Sequence, residues 1–298
     1  MRQRLMPAYK LKNTINFLKS VRVAARDHYC NKYVSYGTAV KNWFKFRNVK
    51  YKMYNLKSVT RFKTSETIFI LGSGPSLNLL TPQQIKTILS HDSCGINYSF
   101  LKAEIVPTFQ IISYERDPIA QKFIIELLSP RRKLYSNTIF FLKQKALCRL
   151  GHPRITPYFF PEQPKCCFYW FPKSIHLEKP RPFTDEDFDR TVIYRGTLTV
   201  VLDLVLKLKY KKIVMLGIDP DTSAYFYDTM EEMKEYCAYF KPKKHKMYEN
   251  MVPKGNKFNT IDVYLYSLRD YLLRKRGVEL FVGFKDSMLY PKLSAYFD

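Results

Sequence analysis

The sequence predicts an α/β protein built on a Rossmann-like, mostly parallel sheet flanked by helices, preceded by a basic helical N-terminal extension. Three observations lead to this. Ile68-Phe69-Ile70-Leu71 is a continuous apolar run, the pattern of a strand covered on both faces. It runs directly into Gly72-Ser73-Gly74-Pro75-Ser76, a turn of small residues at a strand exit, where open α/β sheets collect their ligands. A second apolar run, Ile213-Val214-Met215-Leu216, follows a helical pattern and ends on Gly217-Ile218-Asp219-Pro220, so strand and helix alternate in both halves of the chain.

The elements follow in order. Residues 1–64 carry sixteen Lys and Arg against one acid, Asp27, and form a compositionally separate segment. Within it Leu11, Ile15, Leu18, Val21 and Ala25 recur at helical spacing, with Lys12, Lys19, Arg22 and Arg26 elsewhere on the wheel. Such a basic amphipathic helix either lies on an anionic leaflet or packs on the parent domain. Trp43, Phe44, Phe46, Tyr51 and Tyr54 interleave with Lys and Arg, as at membrane interfaces. Residues 65–298 are read as the Rossmann-like catalytic domain. Thr81-Pro82-Gln83-Gln84 predicts a helix start, with Thr as cap, Pro in the first turn and Gln three residues on. Cys94-Gly95-Ile96-Asn97 and Phe109-Gln110-Ile111-Ile112 supply two further strands. Residues 150–190, rich in Pro and aromatics, read as a long irregular segment. Thr197 is expected to cap a helix to Leu208, Lys211–Leu216 to form a strand, Ile261, Leu265, Leu268 and Leu272 to line a last helix, and Val278–Val282 to close the sheet.

Fifty Lys and Arg against 26 Asp and Glu give a net charge of +24, a field that calls for an anionic partner. Nucleic acid, an anionic membrane and a phosphorylated or acidic glycan all satisfy it. No helix-turn-helix, zinc finger or RNA-binding aromatic sheet pattern is present, and the charge is concentrated in the N-terminal segment, which disfavours nucleic acid. The six cysteines form no C-x-x-C pair, so metal binding through sulfur is not expected, and Cys166-Cys167 beside Phe168, Tyr169 and Trp170 reads as a strand. The basic start Met1-Arg2-Gln3-Arg4 is not followed by the apolar core of a secretory signal, and no apolar stretch reaches the ~20 residues of a membrane span. The expectation is a cytoplasmic protein, peripheral on the inner face of the membrane; its oligomeric state is left open.

Several residues sit where chemistry is expected. Gly72 and Gly74 permit tight backbone geometry, and Pro75-Ser76 leads the chain away with N–H groups available to a phosphate. The third Gly of the dinucleotide fingerprint and the Gly-Lys-Ser/Thr of the Walker loop are both missing. Asn97, Ser113 and Asp219 stand at predicted strand ends, and Tyr225 and Tyr227 follow in the next loop, where a phenol could donate to a leaving phosphate.

Ile70-Leu71-Gly72-Ser73-Gly74-Pro75-Ser76-Leu77 resembles the G-N-G-P-S-L turn of the single-domain bacterial sialyltransferases that decorate lipooligosaccharides. Tyr210-Lys211-Lys212-Ile213, Gly217-Ile218-Asp219 and Ser223-Ala224-Tyr225-Phe226-Tyr227-Asp228 are similar to that family's Y-K-E-I, G-I-D and S-S-Y-A-F-D run. The resemblance spans roughly residues 66–285, in two strong blocks. It implies a CMP-sugar donor carrying an acidic sugar such as sialate or Kdo, inverting transfer with neither bound metal nor other cofactor, and a glycan or lipopolysaccharide acceptor. Carried over by position, Gly72, Ser73, Gly74 and Ser76 would hold the donor phosphate or ribose and Asn97 would meet the nucleotide; Pro75, Ser113, Gly217 and Asp219, at the strand exits, are counted with them as nucleotide-binding candidates. Thr197 would face the nucleotide from a helix start, and Tyr225 would stabilise the departing phosphate.

Three positions depart from the pattern: Ser73 replaces the family's Asn, one of two leaving-group tyrosines has no match near Pro220 and Asp221, and Asn256 replaces the general-base His. An amide cannot take the acceptor's proton, so His245 in Lys243-Lys244-His245-Lys246, Asp228 and Asp219 are the alternative bases. The same turn also resembles that of archaeal pterin diphosphokinase-like proteins and motility-associated glycosyltransferases, where Glu115, Asp117 and Asp219 would hold magnesium.

Overall fold

The computed structural model describes residues 52–54, 56–112, 123–124, 126–143, 165–169, 196–239 and 261–297. Its strands are β1 (Lys52–Tyr54), β2 (Thr67–Leu71), β3 (Asp92–Ile96), β4 (Phe109–Ile111), β5 (Ile139–Lys143), β6 (Lys165–Tyr169), β7 (Lys212–Leu216), β8 (Glu279–Val282) and β9 (Ser294–Ala295). They form one sheet in the order β1-β6-β5-β4-β3-β2-β7-β8-β9, with every neighbouring pair parallel. The Rossmann-like α/β expectation is borne out. From β2 the strands proceed outward on one side through β3, β4, β5 and β6, then resume on the other side with β7. The reversal places a topological switch point between β2 and β7, where both predicted turns leave the sheet.

Alternation along the strands divides the core into two layers. Ile68 and Ile70 of β2 face one layer with Phe109, Ile111, Ile213 and Met215. Phe69 and Leu71 face the other with Phe140, Val214 and Leu216. The first layer is covered by α3 (Gly196–Lys207) and α4 (Ile261–Arg276), the second by α2 (Pro82–Leu89) and the loops after β3 and β7. Helix α2 starts as its sequence predicts: Thr81 Oγ1 accepts from the Gln84 N–H (3.3 Å), and Gln84 Oε1 accepts from the Thr81 N–H (2.9 Å). Helix α3 is apolar around its circumference and is buried continuously from Thr199 to Lys207. Its two buried charges neutralise each other, Lys207 Nζ lying 2.9 Å from Asp203 Oδ2.

Strand β2 and the turn into β7 are tied together through Asp92 at the start of β3. This buried carboxylate accepts from the Thr64 N–H (2.8 Å), Thr64 hydroxyl (2.7 Å), Ser65 N–H (3.1 Å) and Tyr210 hydroxyl (2.8 Å). Burial first, and then the Asp92 charge, push the Tyr210 phenol far above the usual tyrosine range.

Some boundaries differ from the expectations. The basic segment does not end at the edge of the fold: β1 pairs with β6, α1 (Leu56–Val59) follows it, and Val59 is fully buried in the first core layer. The expected amphipathic helix around residues 11–25 lies outside the described residues. Segment 150–190 is not irregular throughout, since β6, with Cys166 and Cys167, lies within it. The aromatic pair Phe168-Tyr169 favours a strand locally there, and the prolines lie outside it. Helix α3 starts at Gly196, which has a φ of 66°, so Thr197 is a first-turn residue rather than the cap. β8 does not close the sheet, because β9 pairs beyond it. Among the described residues, no helix is long and apolar enough to cross a membrane.

Candidate active site at the β2–β7 switch point

The two turns are bonded to each other. The Gly72 N–H donates to Leu216 O (2.7 Å) and the Gly74 N–H to Gly217 O (2.8 Å), extending the β2–β7 pairing past the strand ends. The chain then enters a 3-10 turn, Pro75–Leu79, whose first free donors meet Asp219. The Ser76 N–H donates to Asp219 Oδ2 (2.9 Å) and the Ser76 hydroxyl to Oδ1 (2.8 Å). The loop after Asp219 folds back over the first turn: the Phe226 N–H donates to Ser73 O (3.0 Å), and Asn78 Nδ2 donates to Phe226 O (3.0 Å).

This contact explains the glycines. A Cβ at Gly72 would fall on the Gly217 carbonyl, and one at Gly74 on the Asp219 carboxylate. Close approach of the two turns therefore requires both glycines before any ligand is considered. It also corrects the expectation that the turn's N–H groups are available to a phosphate. Those of Gly72, Gly74 and Ser76 are spent on β7 and its loop, and Asp219 is the anion at the head of the 3-10 turn. Pro75 has no N–H to offer. Among the described residues, neither the N–H nor the hydroxyl of Ser73 has a bonding partner, so Ser73 is where this turn leaves donors to a ligand.

Asn97 directly follows β3, the strand next to β2, and the register Leu71↔Gly95 puts it near the level of Ser73. Its φ of 51° turns the chain sharply into the 3-10 turn Asn97–Leu101. Thr197, half-buried, lies at the same rim on the opposite face, because α3 leads through a short turn into the start of β7 and so has its N-terminus at the carboxyl ends of the strands.

Tyr225 is half-buried and stacks on the buried Tyr227, with ring centroids 5.1 Å apart and planes 1° from parallel. Its N–H donates to Asp228 Oδ2 (2.9 Å), while Cys237 Sγ donates to Asp228 Oδ1 at 3.5 Å. Asp228 is thus engaged in fixing the turn that presents Tyr225. The Tyr227 phenol is pushed far above its usual range, by burial first and then by Tyr236, Tyr225 and Asp228 around it. Tyr227 is therefore the packing member of the pair and Tyr225 the accessible one.

A cavity of about 350 Å³ opens on the other side of the paired turns, between them and the loop after β8. Asp219, Asp221 and Asp286 contribute its charge, and no Lys or Arg lines it. Such a lining accepts hydroxyl hydrogens and repels phosphate. Sequence reading missed Asp221, Asp286 and this loop. The available signal was Gly283, immediately after the Val278–Val282 run, in the same strand-exit position as Gly72 and Gly217. Among the described residues, no group of three or more His, Cys, Asp or Glu side chains is placed to hold a metal ion. Ser113, His245 and Asn256, together with Glu115 and Asp117, lie outside the described residues.

No family model matches the sequence, and no curated protein matches it significantly. Among solved structures, the chain is similar to the monofunctional alpha-2,3-sialyltransferase Cst-I from Campylobacter jejuni, with a TM-score of 0.42 and 14% identity over 78% of this chain and 81% of that one. It is also similar to CstII from Campylobacter jejuni in complex with the substrate analogue CMP-3FNeuAc (TM-score 0.42, 13% identity, 77% of this chain and 86% of that one). A third similar structure is the sialyltransferase CST-II in complex with a trisaccharide acceptor and CMP (TM-score 0.39, 12% identity, 77% and 85%).

Proposed function

We propose that the chain is a glycosyltransferase that moves an acidic sugar, sialate or Kdo-like, from a CMP-activated donor to a surface glycan or lipopolysaccharide acceptor, with inversion and without metal. The observation that carries this reading is the bonding of the Gly72–Ser76 turn to the Gly217–Asp219 turn. The two sequence blocks that resemble the sialyltransferases, far apart in the chain, form one hydrogen-bonded unit at the sheet's switch point.

In this reading the nucleotide lies along the Ser73 and Asn97 side of the rim, next to the Ser73 hydroxyl. The start of α3 at Thr197 favours its negative charge through the helix dipole. The carboxylate-lined cavity takes neutral hydroxyls of ribose or sugar. Tyr225 donates its phenolic hydrogen to the phosphate oxygen as the glycosidic bond to it breaks, which stabilises the charge developing on the leaving group. The acceptor hydroxyl attacks the anomeric carbon from the opposite face and gives its proton to a base. His245 is the base that remains once Asp228 and Asp219 are engaged in their turns and Asn256 is excluded by its chemistry. The strongly positive chain charge draws both the anionic donor and an anionic membrane-borne acceptor, with the basic N-terminal segment as the peripheral anchor.

Thermal-shift measurement against CMP, UMP, GDP and ATP tests the reading. Selective stabilisation by CMP supports it, and none by any of the four removes it. Donor turnover that requires magnesium transfers the site to the diphosphokinase-like alternative.

A further inference from the structure

Gln110 occupies the middle of β4 between Phe109 and Ile111 and is fully buried. Its Nε2 donates to Asn97 O at 3.0 Å and to Ile111 O at 3.0 Å. Its Oε1 has no hydrogen-bond partner among the described residues, and neither has the hydroxyl of Ser99 nearby. Both oxygens press on Gly95 of β3, where a Cβ would collide with Gln110 Oε1 and Ser99 Oγ. A buried amide with one half unsatisfied costs stability, and an apolar side chain would suit the strand better. Its Nε2 acts on the carbonyl of Asn97, a non-glycine residue held in the left-handed region at the sheet's carboxyl rim.

We infer that Gln110 is a positioning residue for nucleotide binding: by holding the Asn97 carbonyl from inside the sheet, it fixes the left-handed turn that sets Asn97 beside Ser73 at the rim. The inference rests on the nucleotide-sugar reading of that rim. Gln110 itself is sealed beneath the surface and acts only through Asn97. The left-handed conformation of an asparagine is strained, and a bond to its carbonyl from the neighbouring strand shifts the local equilibrium toward it.

The test is a double-mutant cycle on the full chain, read by calorimetric titration with CMP. Gln110→Met keeps the length of the side chain and removes the donor; it weakens CMP binding on the order of tenfold, within the coupling range of contacting residues. In an Asn97→Ala background, the same change weakens CMP no further. Gln110→Leu, which also lacks a donor and stays uncharged, is the second variant and behaves alike. Wild-type affinity in both Gln110 variants, or equal losses in both backgrounds, overturns the inference, because a merely structural glutamine would act independently of Asn97. Hydrogen exchange on the ligand-free proteins separates this from the underlying reading. The amides of residues 98–101 exchange faster in Gln110→Met if Gln110 holds the turn, and unchanged exchange overturns the positioning role. A wild-type chain that binds no CMP overturns the nucleotide reading instead.

Discussion

The Asp219 carboxylate closes on Ser76, taking its N–H on Oδ2 at 2.9 Å and its hydroxyl on Oδ1 at 2.8 Å. Through this pair the loop after β7 occupies the head of the 3-10 turn that follows β2. Both partners are half-buried, and hydrogen bonds to a charged group contribute about 1.5–3 kcal/mol. Ser76→Ala is expected to destabilise the fold by roughly the lower part of that range, because the backbone donor remains. Urea denaturation measures it; an unchanged midpoint would show that the pair does not join the two turns energetically.

Gly74→Ala acts on the same contact by sterics. Its methyl would land on the Asp219 carboxylate, so the turns must separate. The expected cost is about 1–3 kcal/mol, the usual cost of overpacking, with loss of CMP binding because the rim is rebuilt. Circular dichroism melting and CMP titration check both consequences.

Tyr225→Phe keeps the ring that stacks on Tyr227 and removes only the phenolic donor. Melting temperature is expected to stay put while kcat falls about 10²–10³-fold, the usual effect of deleting one donor to developing charge. Donor KM changes little, since the bond strengthens only as the phosphate departs. A variant of full kcat would remove Tyr225 from the mechanism.

Stability is expected to fall at high pH. Burial raises the phenols of Tyr135, Tyr210 and Tyr227 above their ordinary value, so in the folded chain they stay protonated where unfolded tyrosines begin to ionise, near pH ~10. Their contribution is complete below that pH and is lost as pH rises above it. Tyr210→Phe removes one of four bonds to buried Asp92 and is expected to lower stability at pH 7 by roughly 1.5–3 kcal/mol. It should also flatten the alkaline slope, because one fewer shifted phenol is present. Denaturation curves between pH 7 and 11 measure both effects, and an unaltered slope would contradict the assignment.

Removal of residues 1–48 is expected to abolish sedimentation with phosphatidylserine vesicles while leaving CMP binding intact. The cut must stop short of β1, because Lys52–Tyr54 pair with β6 and Val59 is buried in the core. Vesicle binding that survives the truncation would place the anchor on the folded domain.

The apolar runs at Ile68–Leu71 and Ile213–Leu216 by themselves determined that parallel strands form, since only a strand covered on both faces is apolar at every position. Thr81 with Gln84 determined where α2 starts, because the capping box is local chemistry. The glycines marked where the two turns leave the sheet. What they could not determine is which groups the glycines let approach. Only the tertiary structure decided that Gly74 makes room for Asp219, that Ser76 is consumed by it, and that Ser73 is the donor left over. It also decided that β1 and β6 join the sheet although basic and proline-rich sequence surrounds them, and that Gln110 lies under Asn97. Each of these facts depends on strand order and register, which bring Ser76 and Asp219 within hydrogen-bond range across 143 positions and Gln110 and Asn97 across 13, and no local pattern encodes that pairing.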